Sequence, residues 1–333
     1  MQRTVLDLTF EAVYNWYKQH HSRSISTSDI KPTHQTTSEQ RPCPLFVALS
    51  GPQGSGKTTL VKELVKELDQ RVGLKAVALS ADDLYLTHAE QVILANTHKS
   101  NTLLQYRGLP GTHGISLGVQ VLSHLARQNE HINNSVSIPC YDKSLYQGRG
   151  DRMDELHWKT VTGPVDIVLF EGWFLGFRFN WNASTQPNWN DILSSRSESQ
   201  SGSQPGFTSI CTQDNLIQVL NSLVEYNQQW YPFIHAFIHI ITPQLDWIYD
   251  WRWEQEQTMK HTANTCNLNT MDTVGLSRVQ INDFVDRFIP VYRMCLPRLI
   301  SNGFFEETER QNSNQHLQIW IDYSRKLVSY KYI

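Results

Sequence analysis

The sequence predicts an α/β protein built on a doubly wound, mainly parallel sheet, and two observations favour this class. Short β-rich runs alternate with helical patterns from residue 44 onward, which is typical of βαβ units. Several of these runs also end in polar or acidic residues. Because ligands bind outside the carboxyl ends of the strands in such sheets, we expect a site along one edge.

The strands are predicted from apolar, β-branched runs between polar stretches. They are 45–50, 75–80, 135–140, 165–170, 235–242 and 317–322. After the first strand, Leu60, Val61, Leu64 and Leu68 recur at helical spacing. This run predicts an amphipathic helix that packs on the sheet.

The domain organisation follows from shifts in composition. Residues 1–20 have helical apolar spacing and predict an amphipathic helix, and 21–43 are Ser-, Thr- and Gln-rich and predict a polar linker. Residues 44–333 form the main domain. Within it, the Ser-, Asn- and Gln-rich stretch 178–206 predicts a disordered insertion, and 252–277 predicts a helical lid.

Composition and charge limit the classes of partner expected for this protein. The 333 residues carry a net charge of -3, so the chain lacks the basic excess of a nucleic-acid-binding protein, and no apolar run reaches transmembrane length. Five widely spaced cysteines suggest neither a disulfide framework nor a zinc site. Asp7 and Glu11 argue against a signal peptide at the start of the chain. We expect a monomer that has no nucleic-acid or membrane partner. The expected compartment is the cytoplasm, with the nucleus as the alternative.

A glycine-rich stretch after the first strand matches the pattern G-x-x-x-x-G-K-[ST] in full, as "GPQGSGKT" at 51–58. The alternative interpretation is a plain glycine turn, which the preceding strand and following helix disfavour. The predicted nucleotide contacts are Gly51, Pro52, Gln53, Gly54, Ser55, Gly56, Lys57, Thr58 and Thr59. In this pattern backbone N–H groups and the lysine hold phosphates, and the Thr58 hydroxyl binds Mg²⁺. The fold class is therefore a P-loop NTPase that uses ATP and Mg²⁺.

Acidic residues at two further strand ends suggest roles in phosphoryl transfer. Asp82 is the candidate catalytic base, because a carboxylate beside the phosphate loop can face both the γ-phosphate and an acceptor hydroxyl. Glu171 closes an apolar strand and is predicted to bind Mg²⁺ directly or through water. Asp83 either binds metal or caps the turn, and the sequence does not separate these two roles.

Two glycine-rich loops, 105–114 and 141–152, suggest an acceptor pocket because they contain several cations. The predicted substrate contacts are Tyr85, Arg107, His113, Tyr141, Asp142, Lys143 and Arg152. The alternative for each arginine is an ordinary surface ion pair, and His113 is more often a structural histidine than a proton carrier. Arg252 either reaches the transferring phosphate or stacks on neighbouring tryptophans in "WIYDWRWEQE".

An ordered series of stretches between about residues 43 and 295 resembles the D-glycerate 3-kinase family and its fungal ATP-dependent relatives. They are "SGPQGSGKTT", "DDLYLTHAEQ", "GLPGTH", "YDKSLYQGRGDR", "VDIVLFEGWFLGF", "YDWRWEQE" and "FVDRFIPVY". The resemblance implies a P-loop kinase fold like that of uridine kinase, phosphoribulokinase and pantothenate kinase. It also implies that Asp82 is the base, that Arg252 begins the lid, and that the loop at 141–152 borders the acceptor.

These observations together predict an ATP-dependent small-molecule kinase, with a glycerate-like acceptor as the first to test. The rival prediction is a regulatory protein that binds nucleotide with little or no turnover. A GTPase-type switch is disfavoured because the chain has no NKxD motif and its strand end reads "FEGW" instead of DxxG. Dependence of turnover on an acceptor separates the two predictions.

Overall fold

The computed structural model describes residues 3–26, 41–131, 133–179, 187–194, 210–265, 276–306 and 314–333. In these residues the strands are β1 (Leu45–Ser50), β2 (Ala76–Ser80), β3 (Ser135–Ile138), β4 (Tyr141–Asp142), β5 (Asp151–Arg152), β6 (Lys159–Thr162), β7 (Ile167–Gly172), β8 (Ala236–Ile241), β9 (His316–Ile321) and β10 (Leu327–Tyr332). The helices are α1 (Val5–Ser26), α2 (Lys57–Val72), α3 (His88–Thr97), α4 (Ile115–Ala126), α5 (Leu145–Gly148), α6 (Trp189–Leu193), α7 (Gln213–Gln229), α8 (Trp247–Thr265), α9 (Arg278–Asp286) and α10 (Ile289–Asn302).

The main sheet of the described residues has the order β10-β9-β8-β1-β7-β2. All of its described pairings are parallel except that of β10 with β9. The chain leaves β1 for the edge strand β2, returns to β7 beside β1, and then adds β8 on the other side. The carboxyl end of β1 therefore lies at the switch in strand order, where α/β proteins bind ligands. The predicted α/β, mainly parallel fold is confirmed.

Two apolar cores cover the two faces of this sheet. Successive residues of β1 alternate between them: Phe46 and Ala48 pack into one core, and Leu45, Val47 and Leu49 into the other. The first core receives α4, α7 and α10, whereas the second receives α1 and α2. Both faces of β1 are thus buried, so the ends of the central strands are the places where the sheet offers polar chemistry.

The strand predicted at 135–140 does not join the main sheet. Residues 135–138 form β3, which pairs antiparallel with β6 in a separate two-stranded sheet. The prediction that its end points into the crevice as a parallel strand end is therefore wrong. The apolar alternation of "SVSI" is compatible with a hairpin strand and with a central strand. Only the long-range pairing of the strand decides between these two positions. The following residue Tyr141 nevertheless reaches the site, as described below.

The segment boundaries also differ from those predicted. Helix α1 continues to Ser26, six residues into the predicted linker, and residues 27–40 lie outside the described part of the chain. The predicted disordered insertion 178–206 contains the short helix α6, whose Ile192 is buried, so the prediction is corrected for these residues. Residues 180–186 and 195–206 of that insertion lie outside the described residues.

The predicted lid is helical over its first half, because α8 extends to Thr265. Residues 266–275 lie outside the described residues, and α9 begins after them with a capping box between Ser277 and Gln280. In the described part of the chain, the helices all lack the combination of length and apolarity that a bilayer crossing requires.

Candidate active site

The phosphate loop joins β1 to α2 and depends on glycines with backbone angles that other residues adopt at a cost. Gly54 and Gly56 have φ of 78° and 88°, in the left-handed region. A Cβ atom on Gly54 would lie 2.3 Å from Cβ of Trp251, which packs behind the loop from α8. The loop is therefore held between its own helix and α8, in a form that only glycine permits at position 54.

Lys57 lies inside this loop. Its Nζ donates hydrogen bonds to the carbonyl oxygens of Gly51, at 2.8 Å, and Pro52, at 3.0 Å. Burial lowers the pKa of Lys57, and the carboxylates of Glu171 and Asp82 oppose that shift. The loop thus wraps a buried ammonium group at the start of a helix, which is a set of donors suited to phosphate oxygens.

Glu171 lies within β7 and not after it, and its side chain joins two neighbouring elements. Its Oε1 accepts hydrogen bonds from the Thr58 hydroxyl at 3.1 Å and from the Ser80 hydroxyl at 2.9 Å. Ser80 was not predicted as a site residue. It is the last residue of β2 and pairs with Glu171 in the sheet, but a serine at a strand end carries no sequence signal for such a role.

The residues of this cluster fit a magnesium ion. Mg²⁺ prefers oxygen ligands and is usually held by one or two protein groups together with substrate phosphates. The Thr58 hydroxyl and the Glu171 carboxylate supply such oxygens beside the phosphate loop. In the described ranges, no group of three or more His, Cys, Asp or Glu side chains could hold a metal alone. The arrangement therefore suits a metal that arrives with a nucleotide.

Asp82 follows β2 in a short 3-10 turn and carries two side-chain partners. Its Oδ1 accepts a hydrogen bond from the Tyr85 hydroxyl at 2.8 Å, and its Oδ2 forms an ion pair with Lys143. Burial acts to raise the pKa of Asp82, but Lys143 and Tyr85 outweigh burial and hold the pKa below its usual range. The side chain retains 30% of its exposure. Asp82 is therefore an ionised carboxylate that solvent or a substrate can reach.

Asp83 has a different environment from Asp82. Its Oδ1 accepts a hydrogen bond from the backbone N–H of Tyr141 at 3.1 Å. Burial raises the pKa of Asp83 to about 6, and this hydrogen bond partly opposes the shift. The side chain thus anchors the start of the loop at 141–152. The sequence left metal binding and capping of the local turn open, and the observed contact is a third one, an anchor for a distant loop.

His113 is enclosed by aromatic rings. Its ring centroid lies 4.5 Å from that of Tyr85, and its Nδ1 lies 2.8 Å from the hydroxyl oxygen of Tyr226. That oxygen also accepts a hydrogen bond from the N–H of Gly111, so the hydroxyl proton is available to Nδ1. Burial lowers the pKa of His113 to about 3. The imidazole is therefore neutral at physiological pH and is placed as a structural group.

The predicted cations of the acceptor loops are mostly occupied by backbone carbonyls. Arg107 donates to the carbonyl oxygens of Gly148 and Arg149, and its guanidinium lies 5.4 Å from the ring centroid of Tyr141. Arg152 donates to the carbonyl oxygen of Tyr85 at 3.2 Å. These arginines fix the shape of the loops.

Asp142 and Lys143 occupy the outer part of the same loop. Asp142 accepts hydrogen bonds from the backbone N–H and the hydroxyl of Ser144, as in an Asx turn. The Lys143 side chain is 57% exposed while it pairs with Asp82. Lys143 is thus a cation of these loops with room to contact a small anion.

Arg252 lies on α8 and faces the site. Its guanidinium lies over the ring of Phe284, with the central carbon 5.4 Å from the ring centroid, and 3.9 Å from the carboxylate of Glu256. The expected aromatic partner was tryptophan, so Phe284 corrects that alternative. Burial lowers the pKa of Arg252, and the charge of Glu256, with a smaller contribution from Asp82, acts in the opposite direction. The guanidinium is therefore close enough to the predicted base for their charges to interact.

A cavity of about 680 Å³ opens beside the phosphate loop. Its lining includes Thr59, Leu60, Ile240, Ile321, Arg325 and Leu327. The volume lies in the range of small-molecule sites, and the lining mixes apolar side chains with a few polar groups. The sequence did not predict this cavity, because its walls come from the start of α1, α2, β8, α8 and the β9–β10 hairpin, which are distant along the chain.

The chain is similar to several kinases over most of its length. It is 33% identical over 295 residues to a probable ATP-dependent kinase of Saccharomyces cerevisiae, which covers 87% of this chain and 88% of that protein. The chain belongs to the family of P-loop kinases that includes D-glycerate 3-kinase and its fungal ATP-dependent relatives. The family recognised from the ordered motifs is confirmed. An ATP-dependent kinase is also the enzyme class of this family, as expected from the sequence.

A plant relative and a solved structure are similar as well. The chloroplastic D-glycerate 3-kinase of Arabidopsis thaliana is 33% identical over 261 residues, which are 78% of this chain and 49% of the plant protein. The chain therefore spans about half the length of that relative. The solved structure of D-glycerate 3-kinase from Cryptococcus neoformans aligns over 100% of both chains, with a TM-score of 0.75 and 28% identity. The predicted P-loop NTPase fold is thereby confirmed. No protein-family model matches the chain.

Proposed function

We propose that this protein transfers the terminal phosphoryl group of Mg-ATP to a hydroxyl group of a small metabolite, with a glycerate-like hydroxy acid as the first acceptor to test. One observation carries the proposal: Glu171 accepts hydrogen bonds from Thr58 of the phosphate loop and from Ser80, whose hydroxyl in turn accepts one from the backbone N–H of Asp82, so the ionised Asp82 lies beside the loop that holds Lys57. A base and a phosphate-binding cation beside one another are what transfer from ATP to a hydroxyl needs.

The donor side consists of the phosphate loop and the cavity beside it. The cavity of about 680 Å³ is continuous with Gly54, Ser55 and Gly56, so a nucleoside in it would present its phosphates to the loop. Lys57 would then exchange its contacts with the carbonyls of Gly51 and Pro52 for phosphate oxygens. The exchange is favourable because hydrogen bonds between two charged groups are stronger than those to a neutral carbonyl.

The magnesium ion, when bound, neutralises phosphate charge in this class of reaction. Thr58 and Glu171 are the residues that would hold it, and Ser80 keeps the Glu171 carboxylate oriented toward the loop.

The acceptor side supplies the base. Asp82 is ionised at neutral pH, because Lys143 and Tyr85 stabilise its charged form. As the acceptor oxygen bonds to the γ-phosphorus, the bond from that phosphorus to the ADP oxygen breaks, and the hydroxyl proton passes to Asp82. Arg252 on α8 stabilises the negative charge of the transferring phosphoryl group when its guanidinium contacts that group.

The acceptor class is suggested by charge and by the relatives. Lys143 lies at the rim of the predicted acceptor pocket with 57% of its side chain exposed. A carboxylate on the acceptor would pair with this ammonium group and place a hydroxyl near Asp82. Two of the relatives are named as D-glycerate 3-kinases, so small hydroxy acids come first.

The remaining parts of the proposal concern the cell compartment and the oligomeric state of the enzyme. Among the described residues, Cys43, Cys140 and Cys295 carry free thiols, which suits a reducing compartment such as the cytoplasm or the nucleus. We propose a monomer as the working unit.

The test is ATP consumption by the purified protein in the presence of hydroxy acids, nucleosides or sugars. We expect an acceptor-dependent rate that Asp82→Asn abolishes while ADP binding is retained, and Lys57→Ala should weaken ADP binding by about ten- to a hundredfold. If ADP binds tightly and no acceptor raises turnover, the protein is a nucleotide-binding regulator. Unchanged ADP affinity in Lys57→Ala would remove the phosphate-loop assignment.

A further inference from the structure

Arg325 has an unusual backbone conformation in the turn between β9 and β10. Its φ is 64°, in the left-handed region, where glycine or asparagine is the usual residue of a hairpin turn. An arginine there costs about 1 kcal/mol or more of backbone strain relative to glycine. Strain of this kind suggests that the side chain has a use.

The side chain of Arg325 bridges two elements of the candidate site. Its Nε donates a hydrogen bond to the carbonyl oxygen of Gly54 in the phosphate loop at 2.7 Å. Its Nη2 lies 2.7 Å from the carboxylate of Glu254 on α8. The guanidinium carbon also lies 5.1 Å from the ring centroid of Trp251, which supports Gly54 from behind. One guanidinium thus contacts both the loop and the helix that carries Arg252.

The bond to Gly54 fixes the direction of a loop amide. The peptide between Gly54 and Ser55 is planar and trans, so its C=O and N–H point in opposite directions. Arg325 engages the oxygen from outside, and the N–H of Ser55 points inward to the carbonyl oxygen of Pro52 at 3.2 Å. A phosphate in the loop would compete with that carbonyl for this N–H. By holding the Gly54 carbonyl oxygen, Arg325 orients the Ser55 N–H toward the inside of the phosphate loop.

The ion pair with Glu254 contributes orientation more than energy. The side chains of Arg325 and Glu254 are 32% and 47% exposed, and such pairs add little to stability. It nevertheless fixes the rotation of the guanidinium plane, so that Nε faces Gly54. Since Glu254 lies two residues from Arg252, the same pair ties the phosphate loop to the predicted transfer arginine.

We propose that Arg325 is a positioning residue that aims the Ser55 N–H into the phosphate loop and couples that loop to α8. This inference rests on the proposed function, because it assumes that the loop binds nucleotide phosphates. Arg325 also lines the cavity proposed for the nucleoside, so a direct contact with the nucleoside is the competing explanation.

The experiment compares the binding of ADP and of pyrophosphate to the full chain by calorimetry. Arg325→Ala should weaken both ligands by the same factor, about tenfold, because the loss lies in the phosphate loop they share. Arg325→Lys retains a donor for Gly54 but cannot bridge to Glu254, and it should recover part of the affinity. Lys331→Ala removes an exposed cation from the same hairpin and should leave both affinities unchanged.

The outcomes separate this inference from the proposed function. If the wild type binds neither ligand, the phosphate-loop assignment fails and the inference fails with it. If the wild type and Lys331→Ala bind ADP, and Arg325→Ala loses ADP affinity but not pyrophosphate affinity, Arg325 contacts the nucleoside directly and only this inference is overturned. Equal affinities in Arg325→Ala and the wild type overturn it as well. A lower melting temperature with unchanged affinity in Arg325→Ala would mark a purely structural role.

Discussion

Lys143 and Asp82 form an ion pair that joins two separate sheets of the protein. Asp82 follows β2 of the main sheet, whereas Lys143 follows β4 of a small antiparallel pair. The pair therefore brings the acceptor loop to the edge of the nucleotide-binding sheet. It also keeps the carboxylate in its ionised form against the effect of burial.

Removal of Lys143 should change how activity depends on pH. Without the ammonium group, burial raises the pKa of Asp82, so the base becomes protonated at moderately acid pH. We expect kcat/KM of Lys143→Ala to fall as the pH drops from neutral, in a range where the wild type keeps its activity. Lys159→Ala on β6, also an exposed cation, is the control. Superimposable pH profiles of Lys143→Ala and the wild type would contradict the assignment of Asp82 as base.

Glu171→Gln should weaken the use of magnesium without disrupting the fold. The amide oxygen can still accept hydrogen bonds from Thr58 and Ser80, but the negative charge is lost. We expect the Mg²⁺ concentration that gives half-maximal activity to rise about tenfold, in line with the loss of one charge-assisted contact. The measurement is a magnesium titration at fixed ATP.

Asp83→Asn is the matched variant for Glu171→Gln, because it neutralises a carboxylate on the other side of the site. The asparagine oxygen can still accept the N–H of Tyr141, so the loop anchor remains. Since burial raises the pKa of Asp83, removal of its charge is not expected to destabilise the fold. Activity and magnesium dependence should stay within about twofold of the wild type, because the asparagine keeps the only described contact of this side chain. A large rise in magnesium requirement would instead make Asp83 a metal ligand.

Gly54→Ala should abolish tight ADP binding, because its Cβ would overlap that of Trp251 and its backbone angle is unfavourable for alanine. We expect a loss of about 1–3 kcal/mol in the free energy of unfolding together with the loss of binding. Gly73→Ala provides the control: Gly73 has φ of 66° at the end of α2, with nothing within 4 Å of a Cβ. That variant should lose about 1 kcal/mol of stability from strain alone and bind ADP normally. Denaturation and ADP titration of both variants show whether the loss of ADP binding comes from backbone strain in general or from the geometry of the phosphate loop.

His113 should make the protein less stable in acid. Burial lowers its pKa in the folded state to about 3 from an ordinary value of 6.5, so between these values the unfolded chain binds more protons. The contribution is fully present above the ordinary pKa and is lost as the pH falls toward 3. From about pH 7 to about pH 5 the expected loss is about 2 kcal/mol.

The check on His113 is the free energy of unfolding of the wild type and of His113→Gln at these two pH values. The wild type should lose about 2 kcal/mol more than the variant on acidification. His235, whose pKa burial also lowers to about 4, remains in both proteins and therefore cancels from the comparison. Parallel pH dependence of the two proteins would show that His113 is solvated in the folded state.

The features that the sequence could predict are those that depend on a pattern of consecutive residues. The phosphate loop is a contiguous motif between an apolar strand and an amphipathic helix, so its place at the end of β1 followed from local pattern alone. The acids near the ends of β2 and β7 were found in the same way. Glu171 lies inside its strand because β7 runs two residues further than its apolar run suggested.

The missed features depend on contacts between distant parts of the chain. Ser80 and Glu171 lie 91 residues apart, His113 and Tyr226 lie 113 apart, and Arg325 and Gly54 lie 271 apart. No local periodicity encodes such a contact, because it arises only when the sheet is assembled. The misplacement of 135–138 has the same cause, since its residues suit a hairpin and a central strand equally.

The two halves of the candidate site are distributed very differently along the chain. The donor side draws on the start of α1, α2, β8, α8 and the C-terminal hairpin. Every predicted acceptor residue from Asp82 to Arg152, by contrast, lies in the uninterrupted stretch between β2 and β7. That stretch leaves the sheet at one edge and returns beside β1. It therefore constitutes a cassette: recombination or grafting of this one segment between related kinases would exchange the acceptor while the nucleotide machinery stays intact.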